Sequence, residues 1–195
     1  MKKILPFFVL SLFVVSAFAQ TSEADKEFVI KYLTATHQDI VTTVNELSDE
    51  AWNYIPEAGG WSVANAFEHI LTTEEAFTGL AKGTVAQSEA TETDLSGADG
   101  MLIGTLANRG TKVTTAPQFE PSGRWDSKED MLDALEESRN TLIEFISSSD
   151  ANLRHYKASL PFGETDMVQL LMVISAHSQR HTFQMKEVLS EYADM

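Results

Sequence analysis

Residues 172–185 read MVISAHSQRHTFQM. Extended by one turn at each end, the run places Leu170, Ile174, His177, His181, Gln184 and Val188 at alternating steps of four and three, the spacing of a seam between packed helices. Three successive polar residues therefore interrupt a stripe that should be apolar. A buried polar group without a partner costs roughly 1–3 kcal/mol, so something must satisfy this band. His177 and His181 lie about one helical turn apart and project from one face, where both imidazoles can reach a single cation. For the pair by itself, two hydrogen-bonded core histidines are the alternative reading.

Outward from this stretch the same periodicity recurs. The seam helix is expected over residues 165–191, after Pro161 and Gly163. Ser127, with Asp130 three residues on, resembles a capping box and opens a helix to about Ser148 through Met131, Leu135, Leu142 and Ile146. Ser62 is an N-cap candidate for a helix to about Lys82, closed by Gly83, with Val63, Phe67, Ile70, Leu71 and Phe77 facing a core. The first helix covers residues 23–47 through Phe28, Leu33, Ile40, Val44 and Leu47, and Ser48, Asp49, Pro56 and Gly59-Gly60 break it. Residues 84–126 are punctuated by Gly and Pro, with one short helix expected near 99–108. Four long amphipathic helices without a strand pattern predict an all-α four-helix bundle, with one long crossover connection between the second and third helices. Long connections of this kind often cover sites.

Residues 1–19 read as a processing segment. Lys2 and Lys3, an apolar run from Ile4 to Phe18, and Ala17-Phe18-Ala19 before Gln20 make a signal peptide with an A-x-A cleavage site. Export to a periplasm or to the medium is the expectation, with residues 20–195 as one mature domain. The apolar run is short for a span of about 20 residues, so no stable membrane anchor is expected after cleavage; an uncleaved anchor is the alternative. The chain contains no cysteine, which excludes disulfides, a cysteine nucleophile and lipoprotein attachment, and leaves any metal with N and O ligands. The formal charge is −15, and −17 once Lys2 and Lys3 are removed, which disfavours nucleic acid and anionic membrane surfaces as partners.

On the second helix, His69 shares a stripe with Ala66, Thr73 and Ala76, small neighbours that leave room for a ligand. One cation would satisfy three imidazoles at once. The same residues carry a family resemblance. WSVANAFEHI at 61–70 resembles the W-S-x-A-x-x-x-x-H-[IL] signature of the DinB-like bundle family, and HSQRHTFQ at 177–184 resembles its second motif, H-x-x-R/x-H-x-x-Q. LSDEAWNYIP at 47–56 is similar to the family's connector before the tryptophan, and FEPSGRW at 119–125 to its turn before the third helix. The resemblance implies a four-helix bundle in which His69, His177 and His181 bind a divalent metal, nickel or zinc, with water or substrate completing the shell.

Three protein nitrogens with open positions are the pattern of a catalytic site, because structural zinc is closed by four protein ligands. An open cation lowers the pKa of a bound water or polarises a carbonyl or a nucleophile. Gln184 is a candidate to orient an imidazole or a water. Glu68 and Glu74, which flank His69, are candidate acceptors or general bases, with a solvated helix face as the other reading of both. His37, between Leu33 and Ile40, reads as a hydrogen-bonded core histidine, with a fourth-ligand or substrate-contacting role as its alternative. His155 is expected at the surface. Arg139 is expected in an intrahelical pair with Glu136 or against a substrate anion, and Trp52, Trp61 and Trp125 as loop anchors, with a pocket-wall role as their alternative.

Two functions follow. The first is an exported metal-dependent enzyme of hydrolase or thiol S-transferase type, the activities the resemblance implies, acting on a small molecule. A signal segment weakens the thiol branch, since low-molecular-weight thiols are plentiful in the cytosol. The second is a non-catalytic, stress-related extracytoplasmic protein that binds metal or a small ligand, favoured by the lack of a general base at fixed spacing as in H-E-x-x-H. Apolar residues left exposed on a bundle helix would also permit a homodimer.

Overall fold

A side-chain oxygen caps each long helix, as the sequence expects at Ser62 and Ser127. The computed structural model describes residues 20–195; the expected signal peptide, 1–19, lies outside the described residues. Ser22 accepts from the Asp25 amide at the start of α1 (Glu23–Val44), and Ser48 does the same for a short α2 (Asp49–Asn53). Ser62 and Asn65 form a reciprocal capping box on α3 (Val63–Gln87). After α4 (Asp99–Ala107), Ser127 caps α5 (Lys128–Ser148), and Asp166 with Gln169 boxes the start of α6 (Met167–Ala193).

Three expectations are corrected. The break after the first helix contains α2, whose buried Ala51 and Trp52 pack on the bundle. The second helix does not stop at Gly83. It continues to Gln87 because Ala81 and Thr84 are buried and Val85 packs on the core, and that burial outweighs a mid-helix glycine's cost of about 1 kcal/mol. Finally, β1 (Lys157–Leu160) and β2 (Gly163–Asp166) form an antiparallel hairpin in which Leu160 pairs with Gly163 and Lys157 with Asp166. Pro161 and Phe162 make its two-residue turn, and Gly163 leaves that turn at φ 133°, a conformation side chains disfavour. The hairpin delivers the chain directly into α6, which therefore starts at Met167 rather than Thr165.

The apolar core is in two parts. One rests on Val29 and Leu33 of α1, Ala81 of α3, Leu142 and Ile146 of α5, and Leu170 and Ile174 of α6. The other rests on Ile40 and Val44, Val63 and Phe67, Met131 and Leu135, and Met185 and Val188. Their order along each helix sets the topology: α1 and α6 run from the first part to the second, while α3 and α5 run from the second to the first. Two parallel helices cannot be joined by a short loop, so the crossover between α3 and α5 is a geometric necessity. α5 and α6 each pack against both α1 and α3.

Between the two apolar parts lies a polar layer centred on Arg139, which is 3% exposed. From α5 its guanidinium reaches all three other long helices. It donates to the Leu33 carbonyl and Thr36 hydroxyl of α1, both at 3.2 Å, and to Ser178 Oγ of α6 at 2.8 Å, and it pairs with Glu74 of α3 at 2.8 Å. Ser138 donates to the other Glu74 oxygen at 2.7 Å. Arg139 thus pairs with Glu74 rather than with Glu136 as expected, and Glu74, 2% exposed, is not on a solvated face. Burial pushes the Glu74 carboxyl up and the Arg139 guanidinium down, and each partner's charge opposes the shift. A second hub, not expected from sequence, is Arg154, which pairs with Asp25 (2.6 Å), Asp99 (2.8 Å) and Asp166 (3.2 Å) and so ties α1, α4 and the cap of α6 together. No helix among the described residues is long and apolar enough to cross a membrane.

Candidate metal centre

The polar band of α6 faces the second turn of α3, and this brings His69, His177 and His181 together. One ligand atom from each lies within 4.8 Å of the others. Nε2 of His69 is 3.0 Å from Nε2 of His177, and the ring centroids of His181 stand 4.5 Å from those of both other histidines. His69 is 4% and His181 8% exposed, while His177 is half-buried. The Trp61 ring stands 4.8 Å from the His69 ring and 6.1 Å from that of His181, walling the group on the side of the α3 cap.

Hydrogen-bond partners set which nitrogens face inward. Nδ1 of His69 lies 2.7 Å from the Phe119 carbonyl, which can only accept, so that nitrogen carries the proton and Nε2 is bare. Nδ1 of His181 lies 2.9 Å from Gln184 Oε1, with the same result. Burial, the largest cause, holds all three imidazoles below their ordinary range. The Phe119 carbonyl partly opposes this at His69; at His177 the neighbouring histidines and Arg180 push further down; His181 is lowered to about 3. Neutral rings that turn bare nitrogens to one point are the form a divalent cation requires, and His69 and His181 present theirs beside Nε2 of His177. The 3.0 Å between two ring nitrogens allows both to lie about 2 Å from one ion, and without a proton or cation between them the lone pairs repel. The donor set therefore fits a metal.

A family profile described as the DinB superfamily matches residues 32–185, a span that contains all three histidines and both sequence motifs. The chain belongs to the DinB superfamily. DinB-like proteins bind metals, and the three-histidine group of this member could hold an ion. No curated protein and no solved structure matches the chain.

The remaining candidates divide sharply. Gln184 is where the DinB motif leads one to look, on the outer edge of His181. Glu68, by contrast, is only 6% exposed and so does not sit on a solvated face, and it is not part of the three-histidine group. Its carboxylate accepts from the amides of Ser122 (2.7 Å), Gly123 (3.0 Å) and Arg124 (3.2 Å) and from the Ser122 hydroxyl (3.1 Å). Burial alone would raise this carboxyl, but the three amides together bring it below its ordinary value. Glu68 and His69, adjacent on α3, thus grip the same turn, residues 119–124, one by its carboxylate and one by its imidazole. That is the FEPSGR turn noted in the sequence.

His37 faces Arg139 and Glu136 of α5 and is not part of the three-histidine group. His155 is half-buried, 3.3 Å from Asn152 Nδ2, rather than fully at the surface. Trp52 packs edge-on against Phe67 at 6.0 Å and Trp125 packs on the second core part, the anchoring roles expected of them. The small-residue stripe of His69 stays buried through Thr73 and emerges into solvent at Ala76. Sequence reasoning missed Arg109 and Arg180, which fasten the crossover to α6 beside the histidines. Arg180 donates to the Asn108 carbonyl and, at 2.5 Å, to that of Thr111. Arg109 pairs with Glu187 at 2.7 Å and donates to Gln184 at 3.3 Å. The one available signal was the arginine inside HSQRH.

Proposed function

We propose that this protein is an exported, metal-dependent enzyme of hydrolase or thiol S-transferase type that acts on a small molecule at a nickel or zinc ion held by His69, His177 and His181. One observation carries the reading: three neutral imidazoles converge, and two of them have their outer nitrogens already engaged, so that their bare nitrogens face one point. The group contains no fourth protein ligand among the described residues, which leaves positions for water or substrate. When bound, such an ion acts as a Lewis acid, polarising a carbonyl or activating a water or thiol. The chain's own residues hold the ion, keep the imidazoles in the competent tautomer and wall the site with Trp61 and the crossover. An all-nitrogen, tris-imidazole set suits nickel and zinc. The charged and apolar pattern of residues 1–19 supports export.

A second reading, a non-catalytic metal- or ligand-binding protein, has its own support. Glu68 is occupied by a loop and Glu74 by Arg139, so neither carboxylate is free to move a proton at the centre. Metal analysis of the purified full chain tests both: close to one divalent ion per chain is expected, lost when His69, His177 and His181 are all replaced by Ala. Equal metal content in the two proteins overturns both readings. Turnover then separates them. A metal-dependent rate on esters, amides, lactones or thiol-plus-electrophile pairs supports the enzyme, and no such rate across the panel leaves the binding protein.

A further inference from the structure

We infer that Arg109, on the crossover connection, is a positioning residue of the metal centre: by fixing which end of the Gln184 amide faces His181, it holds the His181 proton on Nδ1 and leaves Nε2 bare for the ion. This rests on the metal reading above. The amide of Gln184 has two orientations of nearly equal shape and opposite hydrogen-bonding character. With the oxygen toward His181, it accepts from Nδ1–H at 2.9 Å and from the Arg109 guanidinium at 3.3 Å. Turned over, its NH2 group would meet the guanidinium, a group that can only donate, and that orientation is rejected. Glu187 holds the guanidinium in place through both carboxylate oxygens, at 2.7 and 3.4 Å. The consequence reaches the ligand, because a neutral imidazole whose Nδ1 faces an acceptor must carry its proton there.

Without Arg109 the amide is free to turn and donate to Nδ1. That stabilises the other tautomer, in which Nε2 carries the proton and cannot bind an ion. A residue in a loop therefore acts on a ligand through one intermediate side chain. His69 has the corresponding support from the same connection, the Phe119 carbonyl, but there the acceptor is backbone and cannot be turned over. Of these two ligands, only His181 relies on a reversible group.

The test uses the full chain with zinc as probe, measured by competition with a chromophoric chelator, together with histidine ring 15N spectra of the metal-free protein. Arg109→Ala is expected to weaken zinc binding about tenfold, the lower end for outer-sphere partners of metal ligands, and to shift His181 toward the Nε2–H form. Adding Gln184→Glu, which presents oxygen in either orientation, is expected to restore both affinity and tautomer in the Arg109→Ala background. A merely structural role for Arg109 would not allow that rescue. Lys186→Ala, which removes an exposed charge of the same helix paired with Asp39, is the control and should change neither readout. Arg109→Ala binding zinc within twofold of the parent, or a double variant no better than the single one, overturns the inference. A parent chain that binds no zinc overturns the metal reading itself.

Discussion

Replacing Glu68 by Ala removes the acceptor that holds the turn before α5. Three backbone amides and one hydroxyl lose a charged partner. Hydrogen bonds to a charged group contribute about 1.5–3 kcal/mol each, so simple addition over the three amides would give about 5–9 kcal/mol. That sum is too large, because Ser122, Gly123 and Arg124 are exposed and water takes over their amides once the carboxylate is gone. A net loss of about 2–3 kcal/mol is expected in urea unfolding at pH 7. The same substitution frees the Phe119 carbonyl that orients His69, so zinc affinity should fall about tenfold although Glu68 touches no ion. Acid should mimic the substitution. The folded carboxyl sits below its ordinary value of 4.5, so its contribution is complete above that value and is lost as pH falls through the lower folded value. Unchanged unfolding free energy and unchanged zinc affinity in Glu68→Ala would refute the clamp.

Other outcomes follow from the same geometry. Arg139→Met alone strands the buried Glu74 charge and should destabilise by about 3–5 kcal/mol, whereas combining it with Glu74→Leu should recover most of that loss in thermal unfolding. The metal-free protein should weaken below pH 6.5, because the unfolded chain binds protons that the folded histidines refuse. With His181 lowered to about 3, this one ring accounts for about 2 kcal/mol between pH 6.5 and 5, and His181→Gln should flatten the dependence by that amount in urea titrations. At Gly79 and Gly83, both inside α3, a Cβ would meet nothing within 4 Å; Gly79→Ala and Gly83→Ala should each stabilise by about 0.5–1 kcal/mol, and a loss of stability would mean that α3 does not run through them.

Much of this protein is legible in one dimension because helical periodicity is a local property. The caps Ser62 and Ser127, the seam of α6 and the two histidine motifs all depend on residues close together along one helix. The hairpin was not legible, since strands of four residues carry too few positions to show alternation. Gly83 misled for a related reason: its local preference was overruled by Ala81 and Thr84, whose partners are distant in sequence. Glu68 and Glu74 read as residues of a solvated helix face, and Arg139, on the stripe of Leu135 and Leu142, as one end of an intrahelical pair, because their true partners come from other elements.

The chain alone therefore specified four amphipathic helices and named three histidines able to share an ion, since spacing along a helix determines which side chains share a face. Only the tertiary structure decided what stands behind those histidines. The Phe119 carbonyl, the Gln184–Arg109 pair and the Glu68 clamp all depend on where the crossover lies against α3 and α6. That placement is set by contacts between residues 50 or more positions apart, and local spacing carries no record of them.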